Sequence, residues 1–102
     1  MSETESAWMA GVFDGEGSVI RPRKSSPRSI RLQVGGTCEP FIRQIATVTG
    51  TGAVYFRPSQ NPKHNDQWIW QCHAENARSL LRQMLPWLIV KRERALEFLN
   101  GG

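Results

Sequence analysis

Nine residues near the start of the chain, Met9-Ala10-Gly11-Val12-Phe13-Asp14-Gly15-Glu16-Gly17, carry its strongest chemical signal. Trp8, Met9, Val12 and Phe13 recur at helical spacing, predicting a helix over residues 3–13 that Gly15 and Gly17 stop. Asp14 and Glu16 then lie just beyond the negative end of the helix dipole, where each is disfavoured by roughly 0.3–1 kcal/mol. A divalent cation removes that conflict, because it accepts carboxylate and backbone carbonyl oxygens together. The flanking glycines let the backbone turn and expose those carbonyls. A loop whose acids simply point into water satisfies the same residues equally well.

The helix has a second oddity. Ser6, Ala7, Ala10 and Gly11 put small residues at i, i+4 spacing and leave one face nearly flat. A glycine inside a helix costs about 0.8–1 kcal/mol relative to alanine unless packing uses it, and a flat face lets two helices approach closely. Two copies packed across a two-fold axis would bring both Glu16 side chains near that axis. Carboxylates so placed repel unless a metal or proton intervenes. Such a layout suits metal-dependent phosphodiester cleavage.

The elements that must position these residues follow from pattern. Strands are expected over Ser18–Arg23 and Arg28–Val34, joined by a Lys24-Ser25-Ser26-Pro27 loop, with Ile30, Leu32 and Val34 alternating against Ser29, Arg31 and Gln33. A helix over 39–48 has Phe41, Ile42, Ile45 and Val48 as its apolar stripe. Strands over 53–57 and 67–73 follow, the second with Trp68, Trp70 and Cys72 on one face. Helices over 75–84 and 87–99 complete the chain, the last ended by Asn100-Gly101-Gly102. The order α-β-β-α-β-β-α-α contains hairpins rather than β-α-β crossovers, which predicts an α+β fold, an antiparallel sheet with helices on one face. The other face would then present Arg21, Arg23, Arg31, Gln33, Tyr55 and Arg57. The four tryptophans are expected in the core.

With 102 residues, 39% of them hydrophobic and 22% charged, the chain suits one globular domain spanning 1–102. Its longest apolar candidate, Leu85 to Val90, is interrupted by Pro86 and cannot span a bilayer. The acidic Met-Ser-Glu-Thr-Glu start lacks the apolar stretch of a secretory signal, so an intracellular setting is expected. Cys38 and Cys72 cannot build a disulfide framework and are expected reduced. The net charge of +4 is unevenly spread: Gly17 to Gly36 carries +5, Gly50 to His73 carries +1, and the remainder −2. A basic face concentrated on two hairpins is the footprint of a polyanion binder.

Met9–Gly17 resembles the signature motif of the LAGLIDADG homing endonucleases, and Leu85-Pro86-Trp87-Leu88-Ile89-Val90-Lys91 resembles that family's Pro-aromatic-Leu-x-x-Lys segment. The two matches flank nearly the whole chain, and the element order between them is the family's αββαββα(α) order, a saddle-shaped antiparallel sheet. The resemblance implies a homodimer, since one motif is present. It implies that Glu16 binds a catalytic Mg2+ or Mn2+ with the Gly15 carbonyl, that Lys91 borders the catalytic pocket, and that Asp14 is structural. It puts Ala7, Trp8, Ala10 and Gly11 in the dimer seam. Base reading falls to Arg21, Arg23, Arg31, Gln33, Tyr55, Arg57 and Gln71, and phosphate contact to Lys24, Arg28, Lys63 and His64. Arg92 and Arg94 are either phosphate contacts or surface charge. One departure stands out: Gly35-Gly36 occupies the strand end where many members carry Asn or Gln.

The implied activity is site-specific cleavage of both strands of a long, near-palindromic double-stranded DNA site, leaving 3′ overhangs. No small-molecule cofactor beyond metal and no membrane are expected. The alternative is a non-cleaving nucleic-acid binder on the same fold, an intron maturase or DNA-binding regulator. A dimeric scaffold that ignores nucleic acid fits the basic hairpins poorly.

Overall fold

The opening helical signal becomes α1 (Glu3–Glu16) in the computed structural model, which describes residues 1–26 and 28–101. Pro27 of the expected loop and Gly102 of the expected terminus lie outside the described residues. Ser2 caps α1 reciprocally: its Oγ accepts from the Glu5 amide at 3.1 Å, and the Glu5 carboxylate accepts from the Ser2 amide at 2.8 Å. The helix runs on to Glu16 instead of stopping at Phe13, so Asp14, Gly15 and Glu16 form its last turn rather than a loop beyond it. Gly17 ends it with an extended backbone, φ −89° and ψ 163°, its amide bonded to Phe13 O. A Cβ at Gly17 would stand 2.3 Å from Phe13 Cδ1, so the ring occupies the space glycine leaves.

The chain continues as β1 (Gly17–Ile20), β2 (Arg31–Gly36), α2 (Glu39–Thr49), β3 (Ala53–Arg57), β4 (Gln67–His73) and α3 (Ala74–Met84). A single 3-10 turn (Leu85–Trp87) precedes α4 (Arg92–Gly101). The four strands form one antiparallel sheet in the order β1-β2-β4-β3. β2 covers Arg31–Gly36 where Arg28–Val34 is expected, since residues 28–30 belong to the loop that Ser29 closes; two further boundaries differ for identifiable reasons. β1 ends at Ile20, because Pro22 lacks an amide for the ladder and the Ser29 hydroxyl bonds both Arg23 N and Arg23 O, closing a loop where strand was expected. The terminal helix expected from Trp87 begins only at Arg92, since the amides of Ile89 and Lys91 are taken by Asp14.

Sheet register sorts the side chains. Leu32, Val34, Trp70 and Cys72 enter the core beside Met9, Ala10 and Phe13 of α1, Ile42 and Ile45 of α2, and Leu80, Leu81 and Met84 of α3. Burial pushes the Cys72 thiol up to about 12. Among the tryptophans only Trp70 is fully buried; Trp68 is half-buried, and Trp8 and Trp87 are each 37% exposed, against the expectation that all four pack inside. Phe41 and Val48 of the predicted α2 stripe are likewise only half-buried. Among the described residues no helix is long and apolar enough to cross a membrane.

Candidate metal centre and nucleic-acid interface

The two motifs, distant in sequence, meet at the C-terminal end of α1. Asp14 is the junction. Its carboxylate accepts from the Ile89 amide at 2.8 Å and the Lys91 amide at 3.0 Å, while its carbonyl accepts from Lys91 Nζ at 2.8 Å. No basic residue lies in the last turn of α1, so Lys91 supplies from another segment the positive charge that the helix end favours. Arg92 Nη1 donates to Leu85 O at 3.1 Å and holds the same turn from the other side.

Glu16 is treated differently. It is exposed, and among the described residues no hydrogen bond or ion pair engages it. The final helical bond reaches Phe13 O, so the Gly15 and Glu16 carbonyls have no helical donor. These are hard oxygen donors of the kind magnesium favours, and magnesium typically takes one or two carboxylates and fills its remaining positions with water or phosphate oxygen. The described residues contain no group of three or more His, Cys, Asp or Glu placed to hold a metal. His64 lies in the β3–β4 loop and His73 at the end of β4.

The exposed stripe of α1 differs from the flat face read from sequence. Ser6 and Ala10 turn inward, and Ala10, expected in a dimer seam, is fully buried in the chain's own core. Ala7 is half-buried, while Trp8 and Gly11 are exposed. A Cβ at Gly11 or Gly15 would meet nothing within 4 Å. Trp8 also leans edge-on against Phe41 of α2, ring centroids 6.3 Å apart. Ile89 and Val90, part of the Pro-aromatic-Leu-x-x-Lys match and of the expected 87–99 helix, stand 84% and 76% exposed on the turn fastened to Asp14.

The sheet face turned from the helices brings together Arg31, Gln33, Gln71, Tyr55 and Arg57, with Gln33 opposite Gln71 and Arg31 opposite His73. Gln71 Nε2 donates to Gln33 Oε1 at 2.8 Å and to Tyr55 OH at 2.9 Å. The Arg31 Nε is buried without a partner among the described residues. Two residues expected here are elsewhere. Arg21 falls beyond β1, and its guanidinium lies over the Phe98 ring of α4, 4.7 Å from the centroid, with Arg94 over the same ring at 4.8 Å. Arg23 belongs to the loop that Ser29 closes. Lys24 and Arg28 share that exposed loop, Arg28 lying 3.9 Å from Glu75; Lys63 and His64 are exposed in the β3–β4 loop. Gly35 has a local reason: a Cβ there would stand 2.7 Å from Ile69 Cδ1.

No protein-family model and no curated protein matches the chain. Solved structures do. The homing endonuclease I-CvuI in complex with its target in the presence of calcium aligns with a TM-score of 0.73 at 21% identity, covering 95% of this chain. The same enzyme with the I-CreI target in the presence of magnesium, its DNA not cleaved, aligns at 0.71 and 20% identity over 95% of this chain. An archaeal intron-encoded homing endonuclease, I-Vdi141I, complexed with DNA, aligns at 0.69 and 14% identity over 94% of this chain. The chain spans 64% of the I-CvuI chain in both structures and 65% of the I-Vdi141I chain. Together with the element order and sheet topology, these likenesses establish that the fold is that of the LAGLIDADG homing endonucleases.

Proposed function

We propose that residues 1–102 form one DNA endonuclease domain that works as a homodimer, cutting both strands of a long near-palindromic site with 3′ overhangs. The observation that carries this reading is the division of labour at the end of α1. Asp14 is committed to holding the Ile89–Lys91 turn, whereas Glu16, two residues on, is exposed and without a partner among the described residues. In this reading Trp8, Gly11 and Gly15 face the second copy, their open surface admitting a closely packed helix around a two-fold axis. Glu16 and the Gly15 carbonyl would hold Mg2+ or Mn2+, which lowers the cost of charge on attacking and leaving oxygens when bound. Lys91, bonded to Asp14 through both its amide and its ammonium, would hold that ammonium where phosphate charge develops. The basic sheet face and the loops with Lys24, Arg28, Lys63 and His64 would take the duplex, their charges neutralising phosphates.

The test uses a duplex enriched by the chain from a random library, or the sequence flanking the coding gene's intron or intein boundary. With Mg2+ the wild type is expected to cut both strands, and Glu16→Gln to bind equally and cut neither. Equal cutting by the variant removes Glu16 from the mechanism. A second reading, a non-cleaving binder, draws on Gly35 and Gly36, which leave the end of β2 without a polar side chain. Binding without nicking across Mg2+ and Mn2+ favours it.

A further inference from the structure

We propose that Gln33, Gln71 and Tyr55 act as one recognition unit, in which Gln71 is the positioning residue that sets the hydrogen-bond polarity of the other two. This rests on the reading of the sheet face as the DNA-binding surface. The geometry comes from three strands. Gln33 and Gln71 are directly opposed across β2 and β4, and Tyr55 lies on β3 two residues beyond Ala53, the residue opposite Gln71. A primary amide nitrogen has two hydrogens, and Gln71 spends both sideways, on Gln33 Oε1 at 2.8 Å and Tyr55 OH at 2.9 Å. Its own Oε1 is left as an acceptor. Gln33, its oxygen engaged, turns Nε2 outward as a donor, and Tyr55, accepting from Gln71, has its hydroxyl hydrogen to give.

The unit therefore presents donor, acceptor and donor across the sheet. Gln71 suits a base edge with an amino group, adenine N6 or cytosine N4, whereas Gln33 and Tyr55 suit acceptors such as purine N7, guanine O6 or thymine O4. The three preferences are linked, because reversing the Gln71 amide would reverse both neighbours. Beside them Ile69 is 1% exposed on this same face, outside the core cluster, so the polar unit borders a buried apolar side chain. Gly35 leaves the space that Ile69 fills.

The experiment measures base preference by selection from a random duplex library with residues 1–102 and five variants. Gln33→Ala and Tyr55→Phe first mark the positions each residue reads. Gln71→Met, which keeps length but neither donates nor accepts strongly, is expected to reduce discrimination at those marked positions by about tenfold as well as at its own. Gln71→Glu keeps the acceptors and loses both donors; it is expected to invert the marked positions toward bases with amino groups. Gln71→Asn, too short to reach both partners, repeats the Gln71→Met test should methionine disturb folding. Altered preference confined to positions that neither Gln33→Ala nor Tyr55→Phe touches overturns the unit while leaving DNA binding intact. A wild-type chain that enriches no sequence overturns the DNA reading and the unit with it.

Discussion

Lys91 Nζ donates to the carbonyl of Asp14 across 2.8 Å, joining residues 77 positions apart at the one helix end where the acids gather. A second tie joins the same pair, the Lys91 amide donating to the Asp14 carboxylate at 3.0 Å, and the Ile89 amide donates to that carboxylate at 2.8 Å. Its consequence is a separation of roles between neighbouring carboxylates, one structural and the other available.

That separation predicts opposite phenotypes. Asp14→Ala strands the Ile89 and Lys91 amides and is expected to lower stability by about 2–3 kcal/mol, as for hydrogen bonds to a charged group. Glu16→Ala removes an exposed side chain with no partner and should change stability by no more than about 0.5 kcal/mol. Urea titration of both variants checks this. Equal losses would mean that Glu16 has a structural role as well.

The cysteines should differ sharply in reactivity. Cys38 is exposed, whereas Cys72 is buried with its thiol pushed up to about 12 by loss of water. A thiol reagent at pH 8 is expected to label only Cys38 in the folded chain and both residues in denaturant, read by mass spectrometry. The sign of the linked pH effect follows. Below the ordinary thiol value of 9.0 both states hold the proton and the contribution is constant; between there and about 12 the unfolded chain ionises first, so stability falls as pH rises. Labelling of Cys72 without denaturant would show that the core opens locally.

Much of this arrangement was legible in the sequence, and the exceptions have physical causes. The bounds of β3 and β4 match the expected 53–57 and 67–73, and Trp68, Trp70 and Cys72 share one face of β4 as their alternation implies. α1 ran past its expected stop because amides from a distant turn, invisible to local pattern, relieve Asp14. The same long-range bonds broke the expected 87–99 helix. Arg21 and Ala10 were misplaced for a related reason: charge and size suggest a surface, but a ring on α4 and the α1–sheet contact claimed them. The Gln33–Gln71–Tyr55 network needed strand register, which composition does not encode.

Ala74 offers a test of local strain away from the candidate site. It begins α3 with φ 57°, the only described non-glycine residue at positive φ, while its amide bonds Ile30 O at 3.2 Å. A left-handed L-residue costs about 1–2 kcal/mol, partly offset in glycine by the greater freedom of the unfolded chain. Ala74→Gly is therefore expected to raise stability by about 0.5–1 kcal/mol, and Ala74→Val, crowded at Cβ, to lower it by more than about 1 kcal/mol. Thermal melts of the pair decide; a stabilised valine variant would mean the turn relaxes in solution.

Gly11 tests whether two chains assemble along α1, as proposed. Nothing lies within 4 Å of a Cβ placed there, so the single chain has no use for its lack of a side chain, and alanine should strengthen α1 by about 0.8–1 kcal/mol. A helix packed across that position would have a use for it. Gly11→Leu is expected to leave the circular dichroism spectrum of the folded chain unchanged while converting a dimer to a monomer in sedimentation, and DNA cutting should fall with the loss of the second Glu16. Gly11→Ala, with one methyl group, should weaken association without abolishing it. If the leucine variant sediments as a dimer and cuts normally, the two copies do not meet along α1, and Glu16 acts without its symmetry mate.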